Sequence, residues 1–175
     1  MRYKRSITHG GAYFFKVNLL NRKHPLLVEQ IELLRHIIRQ VKLRHPFHID
    51  AIVILPDHLH TIWTLPEVDS DYPKRWMLIK SGFSRSVGIK EPRNPSRIAK
   101  RERGIWQRRY WEHMIRDERD YAMHMDYIHY NPVKHGRVER ASDWPYSSIH
   151  RYIQNGMLDQ DWGVEISLDE GEFGE

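Results

Sequence analysis

Apolar positions alternate with polar ones, or recur every three to four residues, in a clear succession along this chain. After Gly10-Gly11, the segment Ala12 to Leu19 is rich in aromatic and β-branched residues and predicts a first strand. Beyond Pro25, Leu27, Ile31, Leu34, Ile38 and Val41 recur at helical spacing, and Pro46 marks a stop. His48 to Leu55 is a nearly continuous apolar run of strand length, suited to a central position covered on both faces. The corner Pro56-Asp57 turns it into a hairpin with a strand from His58 to Leu65. Trp76, Ile79, Phe83 and Val87 place a second helix over about 72–87, and the loosely alternating Trp106 to Ile115 supplies a fourth strand. Asp117 is a good N-cap for a helix reaching about Tyr130, where Pro132 and Gly136 oppose continuation; Tyr121, His124, Met125 and Ile128 form its core stripe and Tyr127 lies off it. Asp143 to Ser148 then caps a last short helix ending near Ile153. Strand, helix, strand, strand, helix, strand, helix predicts an α+β chain with a ferredoxin-like split βαβ antiparallel sheet and additional C-terminal helices.

At 175 residues, 40% of them hydrophobic, the chain is long enough for one domain with a real core, expected over 1–156. No apolar run approaches a membrane span and no signal-peptide pattern opens the chain, so the expectation is a cytoplasmic protein without a membrane partner. The absence of cysteine excludes disulfides, a thiolate nucleophile and thiolate zinc sites. Residues 1–156 hold all 28 bases and 16 of the 23 acids, a charge of +12, whereas 157–175 form an acidic, Gly-punctuated tail expected to be loosely ordered. So basic a body points to a polyanion, with nucleic acid the first candidate. The bases concentrate between Lys90 and Arg109, eight against two acids, in a stretch broken by Pro92, Pro95 and Gly104 that reads as a long surface loop contacting phosphate. Candidate DNA-contacting residues are Arg2, Lys4, Arg5, Lys80, Arg101, Arg103, Arg108, Arg109 and Trp106. The cations on the first helix, Arg35, Arg39, Lys42 and Arg44, read instead as a solvated face.

On the His58 strand, alternation sends His58, His60 and Ile62 to one face and Leu59, Thr61 and Trp63 to the other. Two imidazoles roughly 6.8 Å apart on one face can lean onto a single divalent cation. By itself His-x-His is a weak signal in a chain with twelve histidines. Tyr127 and Asn131 are four apart, so one further helical turn puts the phenol and an amide oxygen on a shared face, the amide able to join the same cation. Tyrosine becomes a competent nucleophile toward phosphorus when a cation stabilises the developing charge. On spacing alone Tyr121 and Tyr130 are rivals to Tyr127.

Four blocks in order, Leu55-Pro56-Asp57-His58-Leu59-His60, Trp106 to His113, Asp126 to Gly136, and Asp143-Trp144-Pro145-Tyr146-Ser147-Ser148, resemble the REP-associated tyrosine transposases, insertion-sequence-type members of the single-tyrosine HUH superfamily of bacterial DNA-nicking enzymes. The similarity covers about Gly10 to Ile153. The resemblance implies a ferredoxin-like catalytic domain, His58 and His60 as the paired metal ligands, Asn131 as an amide-bearing third ligand, Tyr127 as the nucleophile, and Mg²⁺ or Mn²⁺ as the cation. It further implies single-stranded, hairpin-forming DNA from repetitive extragenic palindromes as substrate, nicked and rejoined through a 5′-phosphotyrosine. A monomer is favoured over a homodimer. Two alternatives stay open: a non-catalytic single-strand binding module, and a metal hydrolase using His58, His60 and a third histidine such as His129.

Overall fold

The structure, a computed structural model, describes residues 9–163. Arg2, Lys4, Arg5 and the tail beyond Gly163 lie outside the described residues. Four strands, β1 (Ala12–Asn18), β2 (His48–Ile54), β3 (His58–Thr64) and β4 (Trp111–Met114), form one sheet in the order β2-β3-β1-β4, every neighbour antiparallel. Between them run α1 (Leu26–Glu29), α2 (Ile31–Arg44), α3 (Tyr72–Ser86), α4 (Pro95–Ala99), α5 (Glu118–Lys134) and, after a 3₁₀ turn at Ala141–Asp143, α6 (Ile149–Gln154). This is the split βαβ topology with added helices, as the sequence pattern predicts.

Strand alternation divides the sheet between two cores. Tyr13, Phe15, Val17, Leu59 and Trp63 point to α2 and α3, where they meet Leu34, Ile38, Trp76, Ile79 and Phe83. The Trp63 and Trp76 rings stack with centroids 4.2 Å apart. On the other face Phe14, Ala51, Val53 and Ile62 pack beneath Met125, Tyr127 and Ile128 of α5. His58 and His60 share this second face, at the end of the sheet where β1 finishes and β3 begins.

Five local expectations are corrected. The apolar run after His48 is an edge strand, not a central one; its outer edge is covered by the chain at 146–148, with Ile54 N donating to Tyr146 O, Ser148 N to Ile52 O and Ile52 N to Ser148 Oγ. That cover satisfies the outer edge of the strand's second half without a second neighbouring strand. The helix after Pro25 is two helices, separated at Gln30 (φ −110°, ψ 32°). β4 is confined to four residues, and Trp106 instead makes an isolated bridge to Leu19. The 90–109 stretch contains α4, capped by the Asn94 side chain on Arg97 N, and it is internally braced: Arg103 binds Glu91 and the carbonyls of Ser84 and Ile89. Gly104 is required there, since a Cβ would stand 2.7 Å from the Pro92 carbonyl oxygen.

The fifth correction concerns α5, which continues through Pro132 to Lys134. Proline forfeits one backbone bond, but the helix closes on a Schellman motif, with Arg137 N donating to Pro132 O and Gly136 N to Val133 O at φ +61° for Gly136. The start is as expected: Asp117 caps the helix by accepting from Asp120 N. The added turn brings Asn131 onto the helix, buried together with Tyr127.

Candidate active site

The corner before β3 is fixed from several directions. Leu55 N donates to His58 O, Leu19 N to Asp57 O and Leu27 N to Pro56 O, so the loop after β1 is tied to the hairpin tip. From that loop Arg22 Nε donates to Asp57 Oδ2 at 2.5 Å, while Asp57 Oδ1 lies 2.8 Å from His58 Nδ1. Burial works to raise the Asp57 carboxyl, but the bonds from His58 and Arg22 outweigh it and hold the group well below the usual carboxylate range. A carboxylate on Nδ1 fixes the proton there and leaves Nε2 as the lone-pair atom, the arrangement that orients metal-ligating histidines.

His60 lies one residue beyond the apolar Leu59, its ring centroid 5.1 Å from that of His58. It is fully buried, flanked by Phe14 at 5.6 Å and by Tyr127 edge-on at 5.3 Å. Burial depresses the affinity of both imidazoles for a proton; His60 falls well below the ordinary histidine value, helped by the charges of His58 and Lys16. Both are therefore neutral donors at physiological pH.

Among the described residues, His58 Nε2, both ring nitrogens of His60 and both amide atoms of Asn131 are buried and have no hydrogen-bond partner. An unsatisfied buried polar atom costs about 1–3 kcal/mol. Asn131 lies one helical turn after Tyr127, whose ring is 5.3 Å from that of His60, and one turn before His135, whose ring is 5.1 Å from that of His58; two imidazoles with an amide oxygen are a donor set that could hold a divalent cation with positions left open.

Tyr127 is 1% exposed and stands over this set, so it is a core-facing residue despite lying off the apolar stripe. The Lys134 ammonium is 5.0 Å from the centroid of its ring. The rival tyrosines go elsewhere. Tyr121 donates to Asp50 Oδ1 and burial pushes its phenol up, and Tyr130 lies beside Gly163. His129, the third histidine of the hydrolase alternative, faces the segment that covers β2, with Nε2 2.9 Å from Ser148 Oγ.

Several participants are not in the sequence-derived set. Asp57 was legible in principle, since it directly precedes His58; Arg22, 35 residues away, was not. A second group of His113, Asp120 and His124 brings one ligand atom from each to within 4.8 Å of the others and could hold a metal ion. Asp120 there links β4 to α5, with His113 Nε2 at 2.8 Å, His124 Nδ1 at 3.0 Å and Arg116 N donating at 2.9 Å. Burial raises its carboxyl, the bonds from His113 and Arg116 lower it, and it settles at about 2.

Of the candidate DNA contacts, Lys80, Arg101, Arg103, Trp106 and Arg108 gather around an open cleft of about 600 Å³ beside α3, on the sheet face opposite α5. Most are already engaged. Lys80 donates to the carbonyls of Gln107 and Arg108, with burial lowering its pKa to about 8. Arg108 pairs with Glu102, and Trp106 is 4% exposed and packed on Phe83. Arg101 and Arg109 are exposed. No helix among the described residues is long and apolar enough to cross a membrane.

No family model matches the chain. A REP-associated tyrosine transposase of Escherichia coli (strain K12) is 46% identical over 165 residues, 94% of this chain and 92% of that protein. A protein of Haemophilus influenzae described as a putative REP-associated tyrosine transposase is 48% identical over 95% of each. A solved structure of a REP-associated tyrosine transposase bound to a REP hairpin superimposes with a TM-score of 0.83 at 45% identity, covering 98% of both chains. Identity of this extent, over a chain that spans nearly the whole of its relatives and shares their fold, makes this protein a member of the REP-associated tyrosine transposase family.

Proposed function

We propose that this chain is a DNA-processing enzyme that nicks and rejoins single-stranded DNA at hairpins of repetitive extragenic palindromes, through a 5′-phosphotyrosine on Tyr127. The observation that carries this function is the burial of Tyr127 against His60, beside unpartnered donor atoms of His58, His60 and Asn131. Binding of a REP hairpin by a solved relative supports the substrate class.

A divalent cation, Mg²⁺ or Mn²⁺, held by His58, His60 and Asn131 would polarise the scissile phosphate and offset charge on its oxygens. The chain's own groups do the rest. Tyr127 Oη attacks phosphorus, a Tyr O–P bond forms, and the P–O3′ bond breaks. The proton lost by the phenol balances the one gained by the departing 3′-oxygen, so a free 3′-hydroxyl remains. Attack by that or another 3′-hydroxyl on the phosphotyrosine reverses the step and joins strands. Phe14 and α5 exclude water from the phenol, and Asp57 with Arg22 keeps the His58 lone pair aimed inward.

His58→Ala and His60→Ala are expected to abolish the denaturation-resistant protein–DNA adduct formed on a hairpin oligonucleotide with Mn²⁺. They should leave hairpin affinity within a few-fold of wild type, because phosphate neutralisation by lysine and arginine dominates binding. Gel-shift and denaturing-gel assays on variants checked by thermal melting read both quantities. Adduct formation in either variant, or loss of affinity in step with loss of adduct in a folded variant, contradicts the assignment.

A further inference from the structure

Most large aromatic residues of the chain are committed to a core, and Trp111 is not. It is 41% exposed, at the start of the edge strand β4. Register fixes where it points. Lys16 of β1 pairs with His60 on one side and with Trp111 on the other, so His60, Lys16 and Trp111 form one row across the sheet on the face covered by α5. With strands about 4.8 Å apart, the Trp111 backbone stands about 10 Å from that of His60.

The helix above presents its two flanks differently. Tyr121 and His129 reach toward β2 and its covering segment, through Asp50 and Ser148. Asp120 and His124 reach toward β4, through His113, whose ring stacks on that of His124 at 4.7 Å. Tyr127 is seven residues from Asp120 and from Lys134, so all three share the β4 flank. Met123, one turn before Tyr127, carries the same flank outward and is 45% exposed. The exposed ends of this flank are therefore Trp111 on the sheet, in the row of His60, and Met123 on the helix, one turn before Tyr127. The exposed Arg109 lies just before β4.

We infer that Trp111 is a base-stacking platform, an unpaired-nucleobase site that seats a base of the single-stranded flank within a nucleotide or two of the scissile phosphate. An indole face offers every base a π surface. Seating the base fixes the phosphate that follows it, so Trp111 is a positioning residue for the nick. Trp106, the tryptophan among the candidate DNA contacts, is by contrast buried, its ring packed on Phe83.

This inference rests on the DNA-nicking function proposed above, and its test separates the two. A REP-type hairpin oligonucleotide with a single-stranded flank, carrying one abasic site walked along that flank, is titrated without divalent cation into wild type, Trp111→Ala and Trp111→Phe. In wild type one abasic position weakens binding about 5- to 30-fold, the lower part of the range for base–aromatic stacking. Trp111→Ala weakens the intact oligonucleotide by the same factor and suffers no further loss at that position, while Trp111→Phe retains most of the affinity with an unchanged melting temperature. Multiplying losses in Trp111→Ala, or intact affinity in that variant, overturns the platform and leaves the nicking function standing. Failure of wild type to bind any of the oligonucleotides removes the nicking function and the platform together.

Discussion

His58 owes its chemistry to its neighbours. Asp57 accepts from its Nδ1 and is itself held by Arg22, a chain of two charge-assisted bonds that reaches from the loop after β1 into the site. Removing the carboxylate charge frees the ring to rotate and lets either nitrogen carry the proton. Asp57→Asn is accordingly expected to weaken Mn²⁺ affinity about 10- to 100-fold, the usual effect of losing an orienting carboxylate. Calorimetric titration with the metal measures it, and an unchanged affinity would show that Asp57 does not orient the ligand. At this scale the sequence revealed the histidines, because alternation in a strand is strict and one period decides which face a residue takes. It concealed the burial of Tyr127. A helical stripe marks the centre of a buried face, and the width of that face depends on the sheet beneath, here broad enough to take His124, Tyr127, Ile128 and Asn131 together.

Among the elements, the outcome turned on covering and bracing contacts between segments far apart in the chain. β2 reads as a central strand from composition, because apolar residues do not reveal what pairs with a strand's outer edge; here the 146–148 segment does so at Ile52 and Ile54. The 90–109 stretch reads as a loop because proline and glycine punctuate it, yet Arg103 and Glu91 close it on itself. Glu91 sits at about 2 instead of 4.5, chiefly through its bond from Arg103, against an opposing contribution from burial. A carboxylate depressed in the folded state stabilises above its unfolded value and loses that contribution as pH falls toward the folded value. The melting temperature of Glu91→Gln should therefore lie a constant amount below wild type above about pH 4.5, with the gap closing between there and about pH 2. A gap that is independent of pH would assign the bracing to packing instead of charge.

For the whole molecule, a charge of +12 over residues 1–156 accompanies a fold whose sheet faces divide the work. One face carries the buried donor set and Tyr127; beside the other a cation-rich cleft opens along α3. Element order and charge asymmetry were both legible in the sequence, since they need no long-range geometry, whereas the engagement of Lys80, Arg103 and Arg108 within the fold needed the folded chain. Hairpin DNA affinity should fall steeply with salt: about six single-strand phosphate contacts, at a slope of about −0.7 each, give roughly a 300-fold loss from about 50 to about 200 mM. Fluorescence anisotropy measures it, and a flat response would deny the phosphate contacts.

The central claim, that Tyr127 becomes joined to DNA, is tested most directly by locating the bond. Incubated with a REP-type hairpin oligonucleotide and Mn²⁺, wild-type protein should yield a covalent adduct whose proteolytic fragment carries a nucleotide 5′-phosphate on Tyr127, and Tyr127→Phe should yield none. An adduct that persists in Tyr127→Phe, or that maps to Tyr121 or Tyr130, would contradict the account.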